Sequence, residues 1–185
     1  MSAAEPSWRG VDAGWGHAAV DVASLHEPAS CREYVALHHH LRVGPGDRLL
    51  DVAALRGAAC AGLDASARLL AIARDRSPAA DLRVGDMHEL PWQDGCFDVV
   101  TSFRGIWGTT PAALAEVHRV LAPGGRLVVG IRDGSVMEQV TPDLFTLRTP
   151  DVLAQALTDA RFDAVQIVTA PDGRSHLLTA TSPPG

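Results

Sequence analysis

The sequence contains no lysine; all 16 of its basic residues are arginine. That excludes Schiff-base chemistry and a P-loop lysine. A codon bias accounts for the absence more simply than function does. Cysteine is scarce: Cys31, Cys60 and Cys96 are scattered and never in CxxC spacing. Neither a disulfide framework nor a zinc site follows from them, so a reducing, cytoplasmic setting is expected. The first residues include Glu5 and Arg9 and form no apolar run suited to a signal peptide. No stretch approaches the roughly 20 apolar residues of a membrane span, so no membrane partner is expected. Ser-His-Asp, HExxH and P-loop patterns are absent. The net charge of −6 argues against nucleic acid as a partner, because phosphate binding needs a basic face.

What is present describes an ordinary globular chain. Hydrophobic residues make up 46% and charged residues 21% of 185 positions, enough for one domain with a sizeable core. That domain is expected to span 1–185, with an N-terminal helical or lid segment over 1–41 and an α/β core over 48–181. Tyr34, Leu37 and Leu41 share one helical face within 16–41. Gly44-Pro45-Gly46-Asp47 is a turn.

Strands are predicted at Arg48–Ala53, Ala58–Leu63, Leu82–Val84, Phe97–Phe103, Arg126–Ile131, Ala164–Thr169 and His176–Thr181. Between them, Ser66 reads as the N-cap of a helix ending before Ser77-Pro78, with Leu69, Ile72 and Ala73 on one face. Thr110-Pro111 and Thr149-Pro150 are matching helix starts, with proline at the first helical position. Leu114, Val117, Val120 and Leu121 form the apolar face of the first of these, which Pro123-Gly124-Gly125 stops. Alternating strands and helices imply a mostly parallel sheet covered on both faces. The last two strands flank Pro171-Asp172-Gly173 and are expected to close as an antiparallel hairpin.

Two segments carry a family resemblance: VGDMHELPWQDGCFDVVTSF (Val84–Phe103) and AEVHRVLAPGGRLVV (Ala115–Val129). Together they resemble the class I S-adenosylmethionine (SAM)-dependent methyltransferases of the type 11 or UbiE-like small-molecule group. The shared pattern is an acid after one strand, a D-G-x-F-D-x-V strand, and a helix ending in L-x-P-G-G-R-L. The resemblance implies a Rossmann-like three-layer α/β sandwich, SAM as cofactor and a small-molecule methyl acceptor. It assigns Asp64, after the second strand, to the ribose hydroxyls and Asp86, after the third, to the adenine amino group, with Met87 packing on the adenine face. Ala65 and Phe103 join this cofactor set. Asp51 matches the family's first-strand acid. The competing reading of Asp64 and Asp86 is that they cap the helices that follow.

One departure stands out. The family's first strand runs into Asp-x-Gly-x-Gly, whereas this chain reads Asp51-Val52-Ala53-Ala54-Leu55-Arg56-Gly57. The glycine-rich cofactor loop is missing, and the first βαβ unit is truncated. Only Ala54–Gly57 separate the two predicted strands, while a parallel crossover needs about a dozen residues or more. The predicted geometry therefore resists a full parallel neighbour. Three explanations stand: a deletion of loop and helix, a local antiparallel hairpin, or a chain from which a natural stretch is omitted.

Methyl transfer rests largely on positioning, so few residues need special chemistry. Arg104 and Trp107, after the fourth strand, are candidate substrate contacts, with Trp15 and Tyr34 as lid residues. No catalytic base is assigned; His17 and His26 are weak candidates. His38, His39 and His40 point about 100° apart on a helix and do not converge on one metal ion, and no metal site is expected. His118 reads as structural. Two other functions stay open: an inactive relative serving as a binding or partner subunit, and the same fold turned to another reaction such as cyclisation. A truncated first unit would expose an apolar sheet face, so homo-oligomerisation is also expected.

Overall fold

In a computed structural model, residues 19–21, 24, 46–52, 61–103, 111–132, 149–170 and 173–185 are described. They build one seven-stranded sheet: β1 (Leu49–Val52), β2 (Ala61–Asp64), β3 (Asp81–Val84), β4 (Phe97–Phe103), β5 (Leu121–Arg132), β6 (Asp163–Thr169) and β7 (Ser175–Thr181). Three ten-residue helices accompany it, α1 (Ala67–Arg76), α2 (Pro111–Val120) and α3 (Pro150–Asp159), besides a three-residue helical turn at Ala19–Asp21. The strand order is β3-β2-β1-β4-β5-β7-β6. β1 to β5 run parallel, and β7 lies antiparallel between β5 and β6. The fold is the expected mostly parallel α/β sheet with its C-terminal hairpin.

Chain order turns around at β1 and β4. β2 leads outward to β3 on one side, and β4 leads outward to β5 on the other. Right-handed crossovers in opposite directions put α1 on one face and α2 on the other. Period-two alternation sorts the core the same way. Leu50, Val52, Val100, Leu127, Val129 and Leu178 face α2 and α3, where Leu114, Val117, Leu153 and Leu157 are fully buried. Val99, Phe103, Val128 and Leu177 form a second, smaller cluster on the opposite face, with Leu49 and Val168 against it.

The helix starts follow their local signals. Ser66 caps α1, its Oγ accepting from the Leu69 N–H at 3.3 Å. Leu70, fully buried, joins Leu69 and Ala73 on the helix's inner face. Thr149 caps α3 and accepts from the Val152 N–H. Thr110, the expected cap of α2, lies outside the described residues.

Two expectations are corrected. β1 and β2 pair in parallel, with Leu50 opposite Ala61 and Val52 opposite Leu63, so the local antiparallel hairpin is ruled out. Residues 58–60 of the predicted second strand lie outside the described residues; β2 is Ala61–Asp64. Eight residues, 53–60, separate the described strands in sequence; a chain of that length reaches about 30 Å when extended, more than the roughly 13 Å of a four-residue strand. It still falls short of an ordinary crossover, so the first unit is truncated yet closes in parallel.

The second correction concerns Leu121, expected on the face of α2. The helix ends at Val120, and Leu121 opens β5 opposite Phe97. The register then shifts through Pro123-Gly124-Gly125, so that Val99 faces Arg126. Gly124 takes a φ of 73°, and its N–H donates to the carbonyls of Ser182 and Pro183. The shift is thereby fastened to the end of the chain. Gly130 has a packing reason: a Cβ there would sit 2.4 Å from the Phe103 ring.

Candidate functional site

The carboxyl ends of β1, β2 and β3 each carry an aspartate: Asp51 within β1, Asp64 closing β2, and Asp86 two residues beyond β3. In an open α/β sheet, ligands bind outside the carboxyl ends of the strands, at the point where strand order reverses. Here that point lies between β1 and β4, so Asp51 stands beside it.

Asp51 is buried, with 9% exposure, and its Oδ1 accepts from the Thr101 hydroxyl at 2.9 Å. Thr101 is its register partner on β4 and is 4% exposed. Asp64 is half-buried; its Oδ1 accepts from the Ser66 N–H at 2.7 Å, and its carbonyl accepts from the Gly85 N–H at 3.1 Å. The two strand ends are thus tied to each other and to the start of α1. The helix cap is Ser66, not Asp64, so the capping alternative fails for Asp64. Ala65, half-buried, bridges the two. Asp86 accepts from the His88 N–H at 2.9 Å and pairs with His88 Nδ1 at 2.6 Å. A turn, not a helix, follows it, so the capping alternative fails there too.

Met87 packs half-buried against the main core. Phe103 is 5% exposed and lies in the second cluster. Arg104, Trp107, Trp15 and Tyr34 lie outside the described residues, as do His17, His26, His38, His39 and His40. His118 stacks edge-on against Phe162 at 5.1 Å, a packing role.

Sequence reasoning missed the scaffold beneath the Asp86 loop. Arg119 on α2 donates to the carbonyls of Leu90 and Trp92 and to the carboxylates of Glu116 and Asp94. Glu116 also accepts from the Leu90 N–H at 2.8 Å. The Arg119 hydrogen bonds hold the Glu116 carboxyl below its ordinary range and raise the guanidinium further, against opposing desolvation. The available signal was Glu116 and Arg119 three apart on a helix, a spacing that pairs side chains. Thr101 had no local signal at all.

Other ionisable groups stand apart from this edge. Arg83 lies over the Trp92 ring at 4.8 Å and pairs with Asp81, which opens β3. Burial pushes the Cys96 thiol up, which disfavours a nucleophilic thiolate. A shallow groove here is lined by Arg83, Leu90, Trp92 and Cys96. Among the described residues no cluster of His, Cys, Asp and Glu could hold a metal. No helix there is long and apolar enough to cross a membrane.

The strand order, the reversal between β1 and β4 and the terminal antiparallel strand are those of the methyltransferase sheet, and comparison with known proteins agrees. A family described as "Methyltransferase domain" matches residues 41–129. Residues 41–129 resemble that family, and the chain has the fold of the class I methyltransferases. It is 39% identical over 127 residues to a demethylmenaquinone methyltransferase of Thermus thermophilus, a match covering 65% of this chain and 54% of that protein. The chain spans about half the length of the curated relatives it matches.

Among solved structures, Haemonchus contortus phosphoethanolamine N-methyltransferase 2 in complex with SAM aligns with a TM-score of 0.66 at 15% identity. That alignment covers 82% of this chain and 52% of the other chain. The [4+2]-cyclase SpnF aligns with a TM-score of 0.63 at 20% identity, covering 83% and 81%. At such identities these structures speak for the fold.

Proposed function

We propose that this domain binds SAM along the carboxyl edge of β1, β2 and β3 and transfers its methyl group to a small-molecule acceptor. The observation that carries the reading is the row of three carboxylates, Asp51, Asp64 and Asp86, at successive strand ends beside the reversal of strand order. The donor set fits the cofactor. SAM presents an ammonium, a ribose diol and an adenine amino group, all hydrogen-bond donors, and each has a carboxylate acceptor to meet. A carboxylate can accept about four hydrogen bonds, so the turn contact from Ser66 does not exhaust Asp64.

In this reading Asp64 takes the ribose hydroxyls, Asp86 the adenine amino group and Asp51 the ammonium. Ala65, Met87 and the Phe103 strand end line the same edge. When bound, the cofactor supplies an electrophilic methyl on a sulfonium, which an acceptor O, N or C atom displaces in line. The protein's part is alignment: holding donor and acceptor at attack distance is worth several kcal/mol or more of barrier, up to about 7–11 in the best cases. Arg104, Trp107, Trp15 and Tyr34 are the proposed acceptor-side and lid residues. The protein is proposed to work in the cytoplasm, without nucleic acid or membrane, and to self-associate.

Calorimetric titration with SAM and S-adenosylhomocysteine tests the reading. Micromolar binding that disappears in Asp64→Ala is the expected result. It leads to an acceptor screen starting with demethylmenaquinone, the compound class named for the Thermus relative. No heat at millimolar ligand would overturn the reading. Binding without methyl transfer to any acceptor would favour the partner-subunit or cyclase-like alternatives.

A further inference from the structure

We infer that Thr101 is a positioning residue for the cofactor's amino-acid end: its hydroxyl holds the Asp51 carboxylate in the orientation that receives the ammonium. The inference rests on the SAM-binding reading above and deepens it.

Thr101 Oγ1 donates to Asp51 Oδ1 at 2.9 Å, between strands that pair these two residues directly, and both residues are buried. Their neighbours on the same sheet face are Leu49, Val99 and Phe103, all apolar and part of the second core cluster. A buried carboxylate in apolar surroundings is costly unless hydrogen-bonded. An apolar pair at 51 and 101 would pack this face of β1 and β4 without that cost. A polar pair at the reversal of strand order therefore has a use beyond packing, and a carboxylate there suits a cationic group. The amino-acid half of the cofactor supplies one.

A hydroxyl has one hydrogen to donate, and here it goes to Asp51. That bond selects one carboxylate rotamer. Valine keeps the shape and strand preference of threonine but lacks the hydroxyl, so Thr101→Val isolates the bond.

The test compares two ligands by calorimetry on the full chain. S-adenosylhomocysteine carries the ammonium; 5′-methylthioadenosine has the same nucleoside and no amino-acid part. Thr101→Val is expected to weaken S-adenosylhomocysteine about tenfold, the usual scale of a hydrogen bond to a charged group, and to leave 5′-methylthioadenosine unchanged. Thr101→Ser is expected to restore the first ligand to within about twofold. Thermal melts of each variant report folding, and Thr101→Ala replaces the valine variant if that one does not fold.

Equal weakening of both ligands would reduce Thr101 to a structural role and overturn the inference, as would full binding of S-adenosylhomocysteine by Thr101→Val. Failure of the unmodified protein to bind either ligand would instead overturn the SAM-binding reading itself.

Discussion

At the scale of single residues, Arg48, just before β1, forms a three-bonded ion pair with Asp98 of β4. Asp98 accepts from the Arg48 side chain through both Nε and a terminal nitrogen at 2.9 Å, and from its backbone N–H at 2.9 Å. The side-chain bonds, then the backbone bond, lower the Asp98 carboxyl to about 2. A folded-state value below the ordinary carboxylate range means stability that is present above that range. It is lost as pH falls from about 4 toward 2. Urea denaturation at pH 6, 4 and 2.5 should show unmodified protein losing more stability over this window than Asp98→Asn. Parallel curves would show that the pair contributes nothing.

Residue-scale legibility was uneven for a physical reason. Asp64 and Asp86 could be read because each follows a short apolar run, a local pattern. Thr101 could not, because its partner is Asp51, and register between distant strands leaves no trace in local sequence.

At the scale of elements, type was legible and ends were not. β4 matches its predicted span, because FDVVTSF is strongly β-prone and bounded by turn residues. The start of the second strand had no sharp signal, because alanine, cysteine and glycine in Ala58–Gly62 have no clear strand signature. Leu121 was misassigned because an apolar residue at helical spacing also suits the first position of a buried strand.

The contact most useful for positioning the site is between elements: Arg119 binds α2 to the loop that carries Asp86. Lysine keeps the charge but offers a single point donor where the guanidinium fork serves four partners. Arg119→Lys should therefore cost about 2 kcal/mol, the loss of hydrogen bonds to charged and carbonyl partners. In a chain of this length that lowers the melting midpoint by about 4–8 °C. Calorimetric melts check it, and an unchanged midpoint would show that the loop holds without the fork.

At the scale of the molecule, the proposed site belongs to no single element. β1, β2 and β3 each contribute one carboxylate, and the parallel pairing of β1 with β2 brings the first two edges together despite the short 53–60 link. A ligand spanning these strand ends binds only the folded sheet, so its binding free energy adds to folding stability. At a free concentration 100-fold above its dissociation constant, that addition is about 2.7 kcal/mol, or about 5–11 °C in melting midpoint at this chain length. S-adenosylhomocysteine should produce a rise of that size that grows with the logarithm of its concentration, and Asp64→Asn should abolish it. The same experiment weighs the truncated first unit. A full-sized shift means that the carboxylates anchor the ligand without a glycine loop. A ligand that binds by calorimetry yet leaves the midpoint unmoved sits outside the cooperative sheet, and the strand-end site would have to be abandoned.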